Sequence, residues 1–146
     1  MLELRDSAKC YMYSRMAQAR KILVVDDDPM LAAPLKEGLQ AKGFQVTVAG
    51  DGLQAIEQAC ASKPDLIILD FNMPGGGGSA VYVCLRELAP TAQTPVIFLT
   101  GVPIDEVKAD VAFDARTYFL SKPTGFDKLL PVIRTALEAK PDSAGG

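Results

Sequence analysis

The feature that most constrains the fold is a regular alternation between short, apolar, β-branched runs and longer segments with helical spacing. The runs predict five strands, at Lys21–Asp26, Gln45–Ala49, Leu66–Asp70, Pro95–Thr100 and Tyr118–Ser121. The segments that alternate with them predict five helices, at Pro29–Lys42, Leu53–Ser62, Ala80–Leu88, Ile104–Ala112 and Phe126–Ala139. Because right-handed crossovers join parallel strands, the alternation predicts an α/β fold: a doubly wound (βα)5 domain with a five-stranded parallel sheet.

One domain accounts for this pattern. The chain has 146 residues and 49% of them are apolar, which is enough for a single packed core of ordinary size. The predicted domain covers residues 20–140. Residues 1–19 precede the first strand and are expected to be an extension without stable structure, and residues 141–146 are expected to be a polar tail, too short for an output domain.

The composition excludes several classes of protein. No apolar run approaches the roughly 20 residues that a membrane-spanning helix needs. The first 20 residues contain no apolar segment that could form the core of a signal peptide, so a cytoplasmic protein is expected. The formal net charge is -3 and no cluster of Lys and Arg lies on one predicted face, which argues against nucleic acid as a partner.

The histidine and cysteine content limits the chemistry further. The chain has no histidine, so a phosphohistidine cannot form within it and any phosphoryl group must come from another molecule. The three cysteines, Cys10, Cys60 and Cys84, show no metal-binding spacing and argue against a disulfide framework. Cys60 and Cys84 are predicted to be small core residues.

Polar residues end four of the five predicted strands, and the carboxyl ends of parallel strands meet at one edge of a sheet. They are Asp26-Asp27-Asp28, Asp70, Thr100 and Ser121-Lys122-Pro123. Carboxylates gathered at one edge repel each other unless a hard divalent cation binds among them, and Mg²⁺ fits oxygen ligands best. Asp28 precedes Pro29 and is predicted to cap a helix instead. Asp26, Asp27 and Asp70 therefore remain as the predicted acidic site.

Asp70 is the candidate nucleophile of this site. It follows the apolar run Leu66–Leu69, and a carboxylate can accept a phosphoryl group to form an acyl phosphate. Lys122 would neutralise one phosphoryl oxygen and the Thr100 hydroxyl would donate a hydrogen bond to another. Together with magnesium, these residues supply every part of a minimal phosphoryl-transfer site.

The order and spacing of four segments resemble the successive motifs of response-regulator receiver domains, the phosphorylation switches of two-component signalling. The segments are Ile22–Pro29 (ILVVDDDP), Asp65–Gly75 (DLIILDFNMPG), Val96–Gly101 (VIFLTG) and Phe119–Pro123 (FLSKP). Each motif alone is weak, but in this order they are specific, and the resemblance covers about Arg20–Lys140. The resemblance is to stand-alone, chemotaxis-regulator-like receivers, and it implies a flavodoxin-like fold.

The resemblance implies a role for each matching residue. Asp70 would be the phosphoacceptor, and the metal ligands would be Asp26, Asp27, Asp70 and the backbone carbonyl of Asn72. Thr100 would be the switch hydroxyl, Lys122 the cation that senses the phosphate, and Phe119 the switch aromatic. A cis Lys122–Pro123 peptide is also implied. The phosphoryl group would come from a sensor histidine kinase or a phosphotransfer protein, and the protein would signal to an unidentified downstream protein rather than act as an enzyme.

Three residues or segments depart from the pattern of that family. Phe119 stands where many members have Tyr, so the ring can move but cannot offer a hydroxyl to a partner, and Tyr118 should point the opposite way. Gly75–Gly78 replaces a loop that usually contains Asp and is predicted to be a flexible linker. Pro34 lies inside the first predicted helix, which should therefore bend or begin late.

Two other functions share parts of these motifs. Asp26-x-Asp28 after a strand, a strand ending in Thr and a later Lys resemble a haloacid-dehalogenase-type phosphatase, but the acidic pair that should follow the lysine is missing and Asp70 would have no role. A flavodoxin-like FMN-binding module would share the fold, yet it needs a loop rich in hydroxyl groups where this chain has three aspartates. The sequence favours the receiver function.

Overall fold

The computed structural model describes residues 19–73, 77–110 and 112–138. The strands are β1 (Lys21–Val25), β2 (Gln45–Ala49), β3 (Leu66–Asp70), β4 (Val96–Thr100) and β5 (Thr117–Ser121). The helices are α1 (Pro29–Ala41), α2 (Gly52–Ser62), α3 (Gly77–Glu87), α4 (Ile104–Asp110) and α5 (Phe126–Glu138). The predicted order of strands and helices is confirmed, and most ends agree within one or two residues.

The five strands form one parallel sheet in the order β2-β1-β3-β4-β5. All five residues of the central strand β3 are buried. Side chains that alternate along the strands supply two cores: Ile67, Leu69 and Phe98 face α2 and α3, while Ile68 and Ile97 face α1 and α5. The predicted fold, a doubly wound α/β domain with helices on both faces, is therefore confirmed.

Helix α1 begins where the sequence predicted a cap. The Asp28 side chain accepts a hydrogen bond of 2.9 Å from the Met30 backbone N–H, and Pro29 occupies the first turn. The helix does not begin late, although Pro34 lies inside it. At its other end a Cβ on Gly38 would lie 2.0 Å from the Phe126 ring, so the glycine lets α5 pack directly on α1.

The predictions for the glycine run and for the cysteines were partly wrong. Gly77 and Gly78 form the first turn of α3 rather than a linker, while residues 74–76 and Cys10 lie outside the described residues. Cys84 is exposed, because the buried face of α3 is occupied by Val81, Tyr82 and Leu85. Cys60 is partly buried in α2. In the part of the chain that the structure describes, no helix is both long and apolar enough to cross a membrane.

A hydrogen-bonded network, which we call the latch, joins α3 to the turn before β5. It consists of Tyr82, Arg86, Asp114 and Thr117. Arg86 donates to the Asp114 carboxylate at 2.8 Å, and the Thr117 hydroxyl donates to the same carboxylate at 3.0 Å. Because that bond uses the only hydroxyl proton of Thr117, the Tyr82 hydroxyl must be the donor across the 2.9 Å between Tyr82 and Thr117. The Tyr82 oxygen in turn accepts from the Asp114 backbone N–H at 3.2 Å.

The charge of Asp114 should make the stability of the protein depend on pH. Burial raises the pKa of the Asp114 carboxyl. The charge of Arg86 and the hydrogen bonds from Thr117 and Arg116 lower the pKa by more than burial raises it, so the pKa lies below its ordinary value. A carboxyl whose pKa is lower in the folded than in the unfolded protein stabilises the fold at pH values above its unfolded pKa of about 3.9. This stabilisation is lost as the pH falls through the pKa of the folded protein.

We therefore expect Asp114→Asn to lower the free energy of unfolding at pH 6 and to have a smaller effect at pH 3. Urea unfolding of both proteins at the two pH values measures the difference. An equal difference at both values would mean that the substitution acts through shape or hydrogen bonding and not through charge.

Candidate phosphoryl-transfer site

The residues predicted for the site meet at the carboxyl edge of the sheet. Asp26 follows β1, Asp70 ends β3, Thr100 ends β4 and Lys122 follows β5. Because β3 lies between β1 and β4, Asp70 stands at the centre of this edge. Asp70 of β3 pairs with Leu99 of β4, and Thr100 of β4 pairs with Ser121 of β5. Thr100 and Lys122 therefore stand one and two positions beyond the level of Asp70 at the carboxyl edge.

Three carboxylates form the acidic part of the site. Asp26, Asp27 and Asp70 each offer an oxygen, and these oxygens all lie within 4.8 Å of one another. Asp70 and Asp26 are only 4% and 8% exposed, whereas Asp27 faces solvent. Two buried carboxylates and one exposed carboxylate at this spacing are a suitable ligand set for a hard divalent cation.

The electrostatics of Asp26 support this interpretation. Its burial raises the pKa of the carboxyl, and the negative charges of Asp70 and Asp27 raise it further. The Asp28 backbone N–H, 2.9 Å from Asp26 Oδ1, and the charge of Lys122 act in the opposite direction without cancelling the rise. The site therefore disfavours three negative charges unless additional positive charge is present, and the three carboxylates fit Mg²⁺ in charge and in ligand type.

Lys122 supplies one positive charge to the site. Its Nζ lies 2.9 Å from Asp70 Oδ1, and the Lys122 backbone N–H donates to the Thr100 carbonyl at 2.7 Å. The Asn72 backbone N–H also donates to Asp70 Oδ1, at 3.1 Å. The predicted cis Lys122–Pro123 peptide is confirmed. The role predicted for the Asn72 carbonyl as a metal ligand stays a prediction.

The Thr100 side chain is fully buried and faces the loop between β4 and α4. Its hydroxyl donates to the Val102 carbonyl at 3.1 Å and accepts from the Val102 backbone N–H at 3.0 Å. Thr100 therefore fixes the first residues of this loop. A change in what its hydroxyl binds would be transmitted directly to the loop and to α4.

The aromatic residue of β5 packs on the sheet. The ring of Phe119 is stacked on Phe98 with 5.8 Å between centroids and lies edge-on to Phe113 at 5.1 Å. Lys108 of α4 places its Nζ 5.1 Å from the centre of the Phe119 ring. Tyr118 packs against the core on the other side of the sheet, as predicted from the alternation along a strand.

Gly78 is a residue that positions the site and that the sequence did not single out. A Cβ at this position would lie 2.8 Å from the Asp70 carbonyl oxygen and 2.8 Å from the Phe71 Cα. The Gly78 backbone N–H donates to the Phe71 carbonyl at 2.9 Å. The missing side chain thus lets the first turn of α3 pack directly on the backbone of Asp70 and Phe71. The run of glycines was the available signal, but it indicated a loop rather than a close contact.

Comparison with known proteins agrees with this geometry. Residues 22–134 match the family described as response regulator receiver domain, and the chain belongs to that family. The transcriptional regulatory protein PrrA of Mycobacterium tuberculosis is 35% identical over 125 residues, which cover 85% of this chain and 52% of PrrA. The chain thus spans about half the length of the curated relatives that it matches first.

Two solved structures show the same architecture. The chemotaxis response regulator CheY4 of Vibrio cholerae superposes with a TM-score of 0.75 at 29% identity, covering 82% of this chain and 99% of CheY4. The response regulator TrrA of Thermotoga maritima, solved in complex with Mg²⁺-BeF, superposes with a TM-score of 0.69 at 30% identity, covering 80% of this chain and 98% of TrrA.

Proposed function

We propose that this chain is a phosphorylation-dependent signalling switch that accepts a phosphoryl group on Asp70 and then changes the surface that it offers to a partner. The observation on which the proposal rests is the placement of a nearly buried Asp70 between two further carboxylates and the Lys122 ammonium. The phosphoryl donor would be a sensor histidine kinase or a phosphotransfer protein, because the chain contains no histidine of its own.

The hydrogen bonds of Asp70 distinguish its two oxygens. Lys122 and the Asn72 backbone N–H both donate to Oδ1, and among the described residues none donates to Oδ2. Oδ2 is therefore our choice for the oxygen that attacks phosphorus while the bond from phosphorus to the donor breaks and its electrons leave with the donor. Magnesium held by Asp26, Asp27, Asp70 and the Asn72 carbonyl would supply positive charge opposite the phosphoryl oxygens.

The remaining residues would convert the new phosphoryl group into a change of shape. A phosphoryl group brings up to two negative charges and three strong acceptors, so the Lys122 ammonium would turn toward it. Thr100 would donate to a phosphoryl oxygen in place of the Val102 carbonyl. The loop after β4, helix α4 and strand β5 with Phe119 would then shift, and this surface would contact the downstream protein.

We propose protein partners for this surface rather than nucleic acid or a membrane. The relative called DNA-binding response regulator MtrA in Mycolicibacterium smegmatis is matched over only 35% of its length, so its name describes a longer protein than the matched part. We further propose a cytoplasmic location, with residues 20–140 as the receiver domain and residues 1–19 and 141–146 as flanking segments outside it.

The phosphatase alternative fits the structure less well. It would require Asp28 as a free acid or base, but the Asp28 carboxylate accepts the capping hydrogen bond from Met30. Incubation with magnesium and acetyl phosphate separates the two functions. A switch gains a single phosphate that hydroxylamine removes and that Asp70→Asn abolishes, whereas a phosphatase releases inorganic phosphate over many turnovers and depends on Asp26. Turnover that survives Asp70→Asn would contradict the proposal.

A further inference from the structure

We infer that the latch, acting through Phe113, holds Phe119 in its packed position on Phe98 before any phosphorylation takes place. This inference rests on the proposed function only in naming Phe119 as the switch aromatic. It adds a regulatory element at the amino end of the sheet, away from the acidic site, in a part of the molecule to which the receiver motifs assign no role.

The latch fixes the turn before β5. The Asp114 carboxylate accepts from Arg86, from the Thr117 hydroxyl and from the Arg116 backbone N–H at 2.9 Å. Arg86 is itself held in place, because one of its terminal nitrogens donates to the carbonyls of Thr91 and Thr94. A carboxylate with three donors, one of them an anchored guanidinium, leaves the turn little freedom to move.

The turn held by the latch positions Phe113. Phe113 directly precedes Asp114, whose backbone N–H is bonded to the Tyr82 hydroxyl. The Phe113 ring lies 4.9 Å from the ring of Tyr82 and 5.3 Å from that of Phe98. Tyr82 is thus both a member of the latch and one wall of the space that holds Phe113, so a change in the latch must also change that wall.

Phe113 packs directly against Phe119. The edge of one ring meets the face of the other with 5.1 Å between centroids and planes at 80°, while Phe98 is stacked against Phe119. Lys108 lies over the same ring. Phe113 and Lys108 both lie against the Phe119 ring, and Phe113 directly precedes Asp114, whose backbone N–H is bonded to Tyr82. Phe113 is therefore the contact through which the latch would keep Phe119 on Phe98. Aromatic pairs of this kind contribute beyond their buried area, which favours the packed position.

The test compares aromatic NMR spectra of the unphosphorylated full chain and its variants, with the Phe119 signals assigned through Phe119→Leu. Asp114→Asn and Phe113→Leu should each shift or broaden the Phe119 ring signals. The double variant should give no more than the larger single effect, because the latch acts through Phe113. Arg86→Lys is a second variant of the latch in case Asp114→Asn folds poorly.

Two controls separate the latch from general effects. Val46→Ala removes buried volume from β2 at the opposite edge of the sheet, and Asp105→Asn removes an exposed charge from α4; both should leave the Phe119 ring signals in place. The inference is overturned if Asp114→Asn and Arg86→Lys change only the amide signals of residues 112–118, or if Val46→Ala moves the ring as much. No phosphoryl donor is present, so a failure of Asp70 to accept phosphate would count against the proposed function and not against the latch.

Discussion

Gly78→Ala should destabilise the protein by about 3 kcal/mol, which lowers the midpoint of thermal unfolding by roughly 6–10 °C for a chain of this size. The added Cβ would lie within 2.8 Å of the Asp70 carbonyl oxygen and of the Phe71 Cα, and it would also meet the Phe98 ring at 3.0 Å. Two of these atoms belong to the backbone of the central strand and its extension, so they cannot rotate away. Either α3 moves outward or the end of β3 shifts.

The same substitution should slow phosphorylation by acetyl phosphate, because a shift at the end of β3 displaces the Asp70 carboxylate from Lys122. Gly101→Ala is the matched control: apart from its chain neighbours, a Cβ there meets no atom of the described residues within 4 Å, so we expect a change within about 0.5 kcal/mol and normal phosphorylation. Equal melting temperatures for the two variants would show that α3 is not fixed by its contact with Asp70.

The second large effect is expected for magnesium binding. Asp27→Asn removes one of the three carboxylates that we propose as ligands of Mg²⁺, a hard cation, and we expect the affinity for Mg²⁺ to fall about tenfold or more. Asp27 is exposed, so the substitution should cost little stability and the loss can be measured on folded protein by calorimetric titration.

Asp28→Asn is the control for charge alone. It removes the same charge one residue further along, and asparagine caps a helix as well as aspartate does, so α1 should keep its first turn. A much smaller loss of affinity is expected than for Asp27→Asn. If both variants lost affinity equally, the general negative potential of this edge would be responsible and Asp27 would not be a ligand.

The sequence was sufficient to predict the order of elements and the polar residues that meet at the carboxyl edge of the sheet. Strand runs such as Leu66–Leu69 are nearly all apolar because the strand is buried on both faces, and this makes them easy to recognise. The end of each such strand then identifies Asp70, Thr100 and Lys122, since a parallel sheet brings those ends together. The cap at Asp28 follows from its own side chain and Pro29.

The contacts that surround the site could not be predicted in this way, because they depend on residues distant in the sequence. A glycine run has the same composition in a loop and in the first turn of a helix, and only the position of Phe71 shows why Gly78 must lack a side chain. Similarly, Arg86 and Asp114 are 28 residues apart, and neither lies in a motif. The cluster formed by Phe98, Phe113 and Phe119 likewise requires the packing of two strands and a loop.

The most direct test of the proposed switch is the amide NMR spectrum of the protein with magnesium, recorded before and after beryllofluoride is added as a phosphoryl mimic. We expect signals of Thr100, Val102, α4 and β5 to move in the wild type, and to move much less in Thr100→Ala although Asp70 still accepts phosphate. Changes confined to the residues around Asp26 and Asp70 would contradict the switch, and Asp70 would then serve only to pass a phosphoryl group on.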